Sequence, residues 1–353
     1  MKLILAGVLG LALAASTIDT GDRAAGLAVN KGAAWLVAVQ GHDGGWGQDG
    51  GGTSHIRTGE RLESNGNDPA NTAVAIMALM RAGHTTTRGQ YQTEVRRGVD
   101  FLLRNVEAGP AEGLAVTSIT GTQIQRKLGP YIDTFVTSMV LGELDGNMGD
   151  AASNARVRRA LEKVVGKIQK HQQGDGSWNL SGGWAPVLGT SMASRGLYLA
   201  QQKGVKVESR VIARADDYAK RSAKPAAVGG AAAEAAGIAL YQGAQALEQL
   251  SRTSADREKN ADEIRGIAGQ LRDERFVRGF GSMGGEEFFS YLNISDSLKR
   301  AGGKEWSEWN TGIKARLVSL QNQDGTWAGH HCITGRVAVT SAAMLTLLSE
   351  RAS

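Results

Sequence analysis

Apolar residues recur along this chain at intervals of three and four, and they do so in pairs of segments of different character. Val157, Leu161, Val164, Val165 and Ile168 share one helical face, as do Trp309, Ile313, Leu317 and Leu320. Such spacing predicts an amphipathic helix with one buried stripe and one wet face. The partner segments differ. Asn71–Arg81, Thr190–Gln201 and Thr340–Leu348 are apolar nearly all round, which predicts helices buried on every side.

Between the two kinds of helix lies a repeated phrase. It reads Gln40-Gly41-His42-Asp43-Gly44-Gly45-Trp46, Gln172-Gln173-Gly174-Asp175-Gly176-Ser177-Trp178 and Gln321-Asn322-Gln323-Asp324-Gly325-Thr326-Trp327. The glycine suits a tight turn after a helix, and the tryptophan can pin that turn to a neighbour. Weaker pairs fill the gaps: Val95–Leu103 with Asp133–Leu144, Ile212–Ala219 with Ala233–Leu250, and Ala261–Leu271 with Phe288–Leu298. Six helical hairpins result. Hairpin repeats stack into an open solenoid or close into a ring. Inner helices without a polar face favour the ring, so the expected fold is all-α, an (α/α)6 toroid with one central cavity.

Composition agrees: 48 glycines and only 5 prolines in 353 residues suit helices punctuated by glycine turns. The net charge of +5 is mild and spread, with no basic block interleaved with aromatics, so no nucleic-acid partner is expected. Met1-Lys2, the uncharged run Leu3–Ala15 and the small residues of Ala12-Leu13-Ala14 describe a secretory signal over residues 1–16. The run is short for a membrane span, an N-terminal anchor being the alternative to a cleaved signal, and no other segment is a transmembrane candidate. Residues 17–353 then form one exported domain, periplasmic or extracellular. Cys332 is the only cysteine, so no intramolecular disulfide forms.

Gln-x-x-Asp-Gly-x-Trp after an amphipathic helix resembles the QW repeat of the squalene–hopene cyclase and protein prenyltransferase superfamily. It is similar to the exported bacterial prenyltransferase/squalene-oxidase-repeat proteins. The resemblance implies the toroid and leaves the reaction open, because these repeats are structural. In such a toroid the residues just before the inner helices gather at one mouth of the cavity, beside helix N-termini.

Three mouth segments carry chemistry. Gly329-His330-His331-Cys332 places imidazoles beside the lone thiol, and both are good zinc ligands. The resemblance implies zinc here, because protein prenyltransferases hold zinc with aspartate, cysteine and histidine at this end of their barrel. The spacing differs and adjacent side chains seldom ligate one metal together. At most one or two of His330, His331 and Cys332 would therefore bind, His331 and Cys332 foremost, with Asp133 or Glu286 supplying the rest. Otherwise His331 and Cys332 pack and hydrogen-bond the loop, or the cysteine is reactive. The second segment, Phe280–Tyr291, puts Glu286 and Glu287 at a helix start, as acids, metal ligands or partners of the dipole, with Tyr291 among the aromatics that could line a pocket. In the third, Asp133 reads as an N-cap or a cavity acid, and Gln123–Lys127 as a solvated stretch. Arg195 and Arg336 fall inside inner-helix patterns, where a charge needs a partner. Either they pair with Asp133 or the glutamates, or they bind an anionic ligand. His42 and His55 lie in a glycine-rich mouth loop and carry no assigned role.

Absent phrases narrow the reaction. Squalene–hopene cyclases protonate an alkene with Asp-x-Asp-Asp, and this sequence has none; Asp216-Asp217 sits in an amphipathic helix that should face solvent. Aromatics, at 5%, are few for cradling carbocations. The Gly-Cys-Gly-Glu-Gln thioester phrase, Gly-x-Ser-x-Gly, His-Glu-x-x-His and nucleotide loops are missing. Three readings stay open. The first is a toroid binding an apolar or anionic small ligand, a peptide or an envelope protein at its mouth. The second is a polysaccharide lyase or hydrolase using Asp133, Glu286, Glu287 and His331. The third is an isoprenoid-binding or isoprenoid-modifying protein with Arg195 or Arg336 at the mouth.

Overall fold

The computed structural model describes residues 20–49, 66–180, 186–223, 232–279 and 284–351. The expected signal, His55 and part of the glycine-rich loop lie outside the described residues. Six hairpins are present. Their outer helices are α1 (Thr20–Ala38), α3 (Gln92–Ala108), α6 (Ala151–Lys170), α8 (Ser209–Ala223), α11 (Ala261–Gln270) and α14 (Gly303–Leu320). Their inner helices are α2 (Pro69–Arg81), α5 (Ile132–Leu144), α7 (Pro186–Gln202), α9 (Ala232–Leu250), α13 (Gly285–Ala301) and α15 (Arg336–Leu347). Three short helices are additional: α4 (Gln123–Leu128), α10 (Ser254–Lys259) and α12 (Glu274–Val277). Among the described residues extended pairing is confined to an isolated bridge between Trp46 and Asp68.

Each inner helix packs on the next, and α15 returns to α2, so the inner ring is closed. In the outer layer α1 meets α14, so the last hairpin lies against the first. The three turn phrases show how. Trp46, Trp178 and Trp327 each donate the indole N–H to a carbonyl ten residues earlier, on Leu36, Ile168 and Leu317, at 2.7–2.8 Å. Their backbone N–H groups donate to Thr72, Thr190 and Thr340 on the following inner helices. The indoles of Trp46 and Trp327 are fully buried, and removing a buried aromatic of this size costs about 3–5 kcal/mol.

The glutamine that opens each phrase binds twice. Its amide donates within the turn, to Gly44, Gly176 or Gly325, and outward to another hairpin. Gln40 reaches Glu94 O at the start of α3, and Gln172 reaches Val211 O in α8. Gln321 reaches Ala28 O in α1 at 2.8 Å. The same device therefore joins successive repeats and closes the circle. The glycine is required: Gly44, Gly176 and Gly325 have φ near +90°, and a Cβ on any of them would strike the backbone of the neighbouring outer helix.

Two expectations from patterning need correction. Gln123–Lys127 is not a solvated stretch. It forms most of α4, opened by a capping box on Thr122, with Gln123, Ile124 and Gln125 buried against the mouth. The inner ring is also not apolar throughout. The helices α2 and α15 are buried on all sides by mostly apolar residues, whereas α7, α9 and α13 bury Ser194, Arg195, Gln245, Glu248, Gln249, Asn293 and Asp296. Several of these groups pair inside the ring, Arg195 with Asp296 and Arg252 with Glu248.

Candidate functional site

The start of α13 and the loop before α15 lie back to back. Gly285 N donates to Ile333 O at 2.9 Å, and Ile333 N donates to Glu286 Oε2 at 3.1 Å. Such an approach needs bare backbone. A Cβ on Gly329 would sit 1.9 Å from Ile333 O, and one on Gly284 would sit 2.6 Å from the His331 ring. The loop bends at Cys332, which holds a left-handed φ of 56°. A non-glycine residue in this region stores backbone strain, which persists only where surrounding contacts enforce it.

These contacts bring Glu286, His331 and Cys332 together. One carboxylate oxygen, one imidazole nitrogen and the thiol sulfur lie within 4.8 Å of one another. Glu286 is fully buried; its Oε1 has no N–H or O–H donor, and the Cys332 thiol is the side-chain donor beside its carboxyl. Burial, with the neighbouring Glu287 charge, pushes the Glu286 carboxyl up to about 8. Burial, with the Glu286 charge, pushes the half-buried Cys332 thiol up to about 12. Both shifts mean that negative charge at this spot lacks compensation. A divalent cation would supply it, so the residues present fit a borderline-soft metal of the zinc class.

Glu287 supports the cluster from behind. It accepts from Gly284 N at 2.9 Å, closing the first turn of α13, and from the Tyr241 hydroxyl at 3.2 Å. Its Oε1 lies 3.7 Å from His331 Nε2. Burial and the Glu287 charge hold the Tyr241 phenol well above the usual tyrosine range, so it remains a donor. His330 is exposed and apart.

Asp133 belongs to the same end of the ring but to a separate pair of helices. It is not the N-cap of its own helix, a position held by Tyr131. It lies in the first turn of α5 and accepts from Ala70 N at 3.0 Å and from Gln125 Nε2 at 2.7 Å. It therefore caps α2, beside that helix's own cap Asp68. Burial and the Asp68 charge raise it to about 7. Gln123 bridges the two halves of the mouth. Its amide group bonds Thr334 and accepts from Gly335 N, while its backbone donates to Gln48 Oε1.

The other predicted residues lie elsewhere. Tyr291 packs between Phe288 and Trp309, and its hydroxyl donates to Val277 O at 2.6 Å. Arg336 pairs with Asp49 and Asp324 and lies over the Trp35 ring, so it ties α15 to the outer layer. Arg195 pairs with Asp296 at 2.7 Å, not with Asp133 or the glutamates. Asp216 is half-buried toward Arg252 rather than solvent-facing, and burial pushes it up to about 6. Tyr241 carries no signal in the sequence, since neither phrase nor charge distinguishes it, and Gln123 reads there only as part of a solvated stretch.

Residues 7–129 match the family described as squalene-hopene cyclase C-terminal domain. No curated protein matches the chain. Among solved structures, α-1,6-mannanase GH76A of Salegentibacter sp. HEL1_6, an inactive variant in complex with α-1,6-mannotriose, is similar at 9% identity and a TM-score of 0.60, covering 93% of this chain and 99% of that one. The type II terpene cyclase MstE from Scytonema, in complex with merosterolic acid A, is similar at 11% identity and a TM-score of 0.56, covering 94% and 98%. The same cyclase in complex with geranylgeranyl dihydroxybenzoate gives 12% identity and a TM-score of 0.56, covering 95% and 99%. At such identities the likeness is one of fold. The chain is an α/α toroid, the fold of the type II terpene cyclases, and its residues 7–129 match the squalene-hopene cyclase C-terminal domain.

Proposed function

We propose that this chain is an exported toroid that holds a zinc-class divalent metal at its cavity mouth and binds an oxygen-bearing small ligand there. The observation that carries this reading is the meeting of Glu286, His331 and Cys332 within 4.8 Å, with a buried carboxylate oxygen left over. Three protein ligands leave a fourth tetrahedral position for water or ligand, the arrangement of catalytic rather than structural zinc. When bound, the metal would polarise that ligand or lower the pKa of its water. The protein's own part is positional: Glu287, held by Tyr241 and Gly284 N, orients His331. Export rests on the pattern of residues 1–16. Among the described residues no helix is long and apolar enough to cross a membrane.

Cobalt(II) titration of the metal-free protein tests the site directly. A thiolate-to-cobalt absorption band at one equivalent, lost in Cys332→Ser, supports it; no band at any ratio removes it.

A second reading rests on the carboxyls alone. Burial and the Glu287 charge, which push the Glu286 carboxyl up to about 8, favour the protonated state a general acid needs. The similar mannanase structure is in complex with α-1,6-mannotriose. On this reading the metal-free protein cleaves α-1,6-linked mannosides, and Glu286→Gln abolishes cleavage. Cleavage unchanged in that variant, or none by the wild type, excludes it.

A further inference from the structure

The inner ring carries a second polar assembly where α7, α9 and α13 converge, and it is made of other residues than the mouth. Gln245, Glu248, Gln249 and Arg252 recur at helical spacing on one face of α9, all buried. Arg252 donates to Ser194 Oγ on α7 at 3.1 Å, and Arg300 on α13 donates to Glu248 O at 3.3 Å. Asp296 on α13 takes Arg81 through two bonds and Arg195 through a third. Three inner helices thus bring charged groups together, with the two amides on the same face of α9 as Glu248 and Arg252.

Two features of this assembly point to a missing occupant. The first is a set of orphaned polar atoms. Arg195 Nη1, Arg300 Nε and all four amide heteroatoms of Gln245 and Gln249 are buried without a hydrogen-bond partner. Gln245 is 0% exposed and Gln249 2%. Leaving so many buried groups unpaired is costly, and native proteins rarely do it without water or ligand. The second is the concentration of guanidiniums. Four guanidiniums, of Arg81, Arg195, Arg252 and Arg300, face two carboxylates that those arginines keep ionised, Glu248 and Asp296. Glu143 and Asp216 lie at the edge, both raised by burial. Among the described residues of this assembly the orphaned donors outnumber the orphaned acceptors, and they lie among arginine forks.

We propose that this interior is a binding site for a small oxyanion, a carboxylate or a phosphate group, held by Arg195 together with Gln245 and Gln249. Arginine forks and amide N–H groups match the lone pairs of such anions. Tyr198, Glu143 and Arg300, near the C-terminal ends of their helices, are only partly buried, so the approach is from that end, away from Glu286, His331 and Cys332. The site stands independently of the reading given for the mouth.

Calorimetric titration and thermal unfolding of the full chain with inorganic phosphate, and separately with acetate, test it against sodium chloride at matched ionic strength. The expected result is saturable binding of at least one anion, weakened at least tenfold in Gln245→Leu/Gln249→Leu. That double variant should fold without anion at least as stably as wild type, because it removes groups that nothing pairs. Should it unfold, Arg195→Lys, which keeps a cation beside Asp296, takes its place and is expected to bind at least tenfold more weakly. Binding of phosphate alone, or acetate alone, supports the site and assigns its ligand. No saturable binding of either anion, or binding undiminished in the substituted protein, overturns the proposal.

Discussion

The side-chain amide of Gln321 donates to the carbonyl of Ala28 across 2.8 Å, joining the sixth hairpin to the first. Gln40 and Gln172 make the equivalent bond between consecutive hairpins, so the toroid is closed by its own repeat. Gln321→Leu deletes the bonds to both Ala28 and Gly325. The loss should be about 1–2 kcal/mol in urea unfolding, with hydrogen exchange rising first in α1. Exchange unchanged in α1 would show that the bond does not secure closure.

The charged interior gives a larger effect. Asp296→Asn leaves Arg81 and Arg195 buried without their carboxylate. Breaking a buried pair from one side costs about 3–5 kcal/mol. The urea midpoint should fall accordingly, and a change below about 1 kcal/mol would mean that solvent already reaches these guanidiniums.

Asp133 gives the chain a pH signature. Its folded pKa is raised to about 7 from 3.8. The folded state therefore holds a proton that the unfolded state has lost, and the stability linked to Asp133 is present below about 4 and lost as pH rises through 7. Asp133→Asn should flatten the dependence of the unfolding midpoint on pH between 4 and 7. An unaltered profile would assign the slope to other groups.

The glycines of the mouth set the metal cluster. Gly329→Ala forces Ile333 O away, because the added Cβ would sit 1.9 Å from it. Displacing the loop moves His331 and Cys332 without altering either. Metal affinity should fall at least tenfold while the far-ultraviolet circular dichroism stays that of the wild type. Affinity within twofold of wild type would detach the loop geometry from the site.

The architecture was largely legible because the physics behind it is periodic. The Trp-bearing phrases and the stripes in α6 and α14 report outer helices directly, and the six hairpins match the expected pairs. What was hidden depends on contacts distant in sequence. Gln123–Lys127 is short and polar, and only its burial between Gln48 and Thr334 makes it a helix of the mouth. Asp133 caps a helix more than sixty residues earlier, which no local pattern encodes. Arg195 was marked as a charge needing a partner, but Asp296 lies 101 residues away on the other side of α9. The cluster of Glu286 with His331 and Cys332 was half legible. The histidine and thiol are adjacent in sequence, whereas the choice of Glu286 over Asp133 required the two backbones to be seen in contact.

Metal content is the most direct measure of whether the mouth is a metal centre. The mature protein, purified without chelator or affinity-tag histidines, would be measured by elemental mass spectrometry beside His331→Ala and Cys332→Ser. The account predicts close to one zinc-class ion per wild-type chain, lost in both variants. It also predicts tighter uptake at higher pH, because the thiol and the Glu286 carboxyl must release protons to bind. A metal-free wild type that still takes up none when zinc is supplied, with both variants folded, would contradict it.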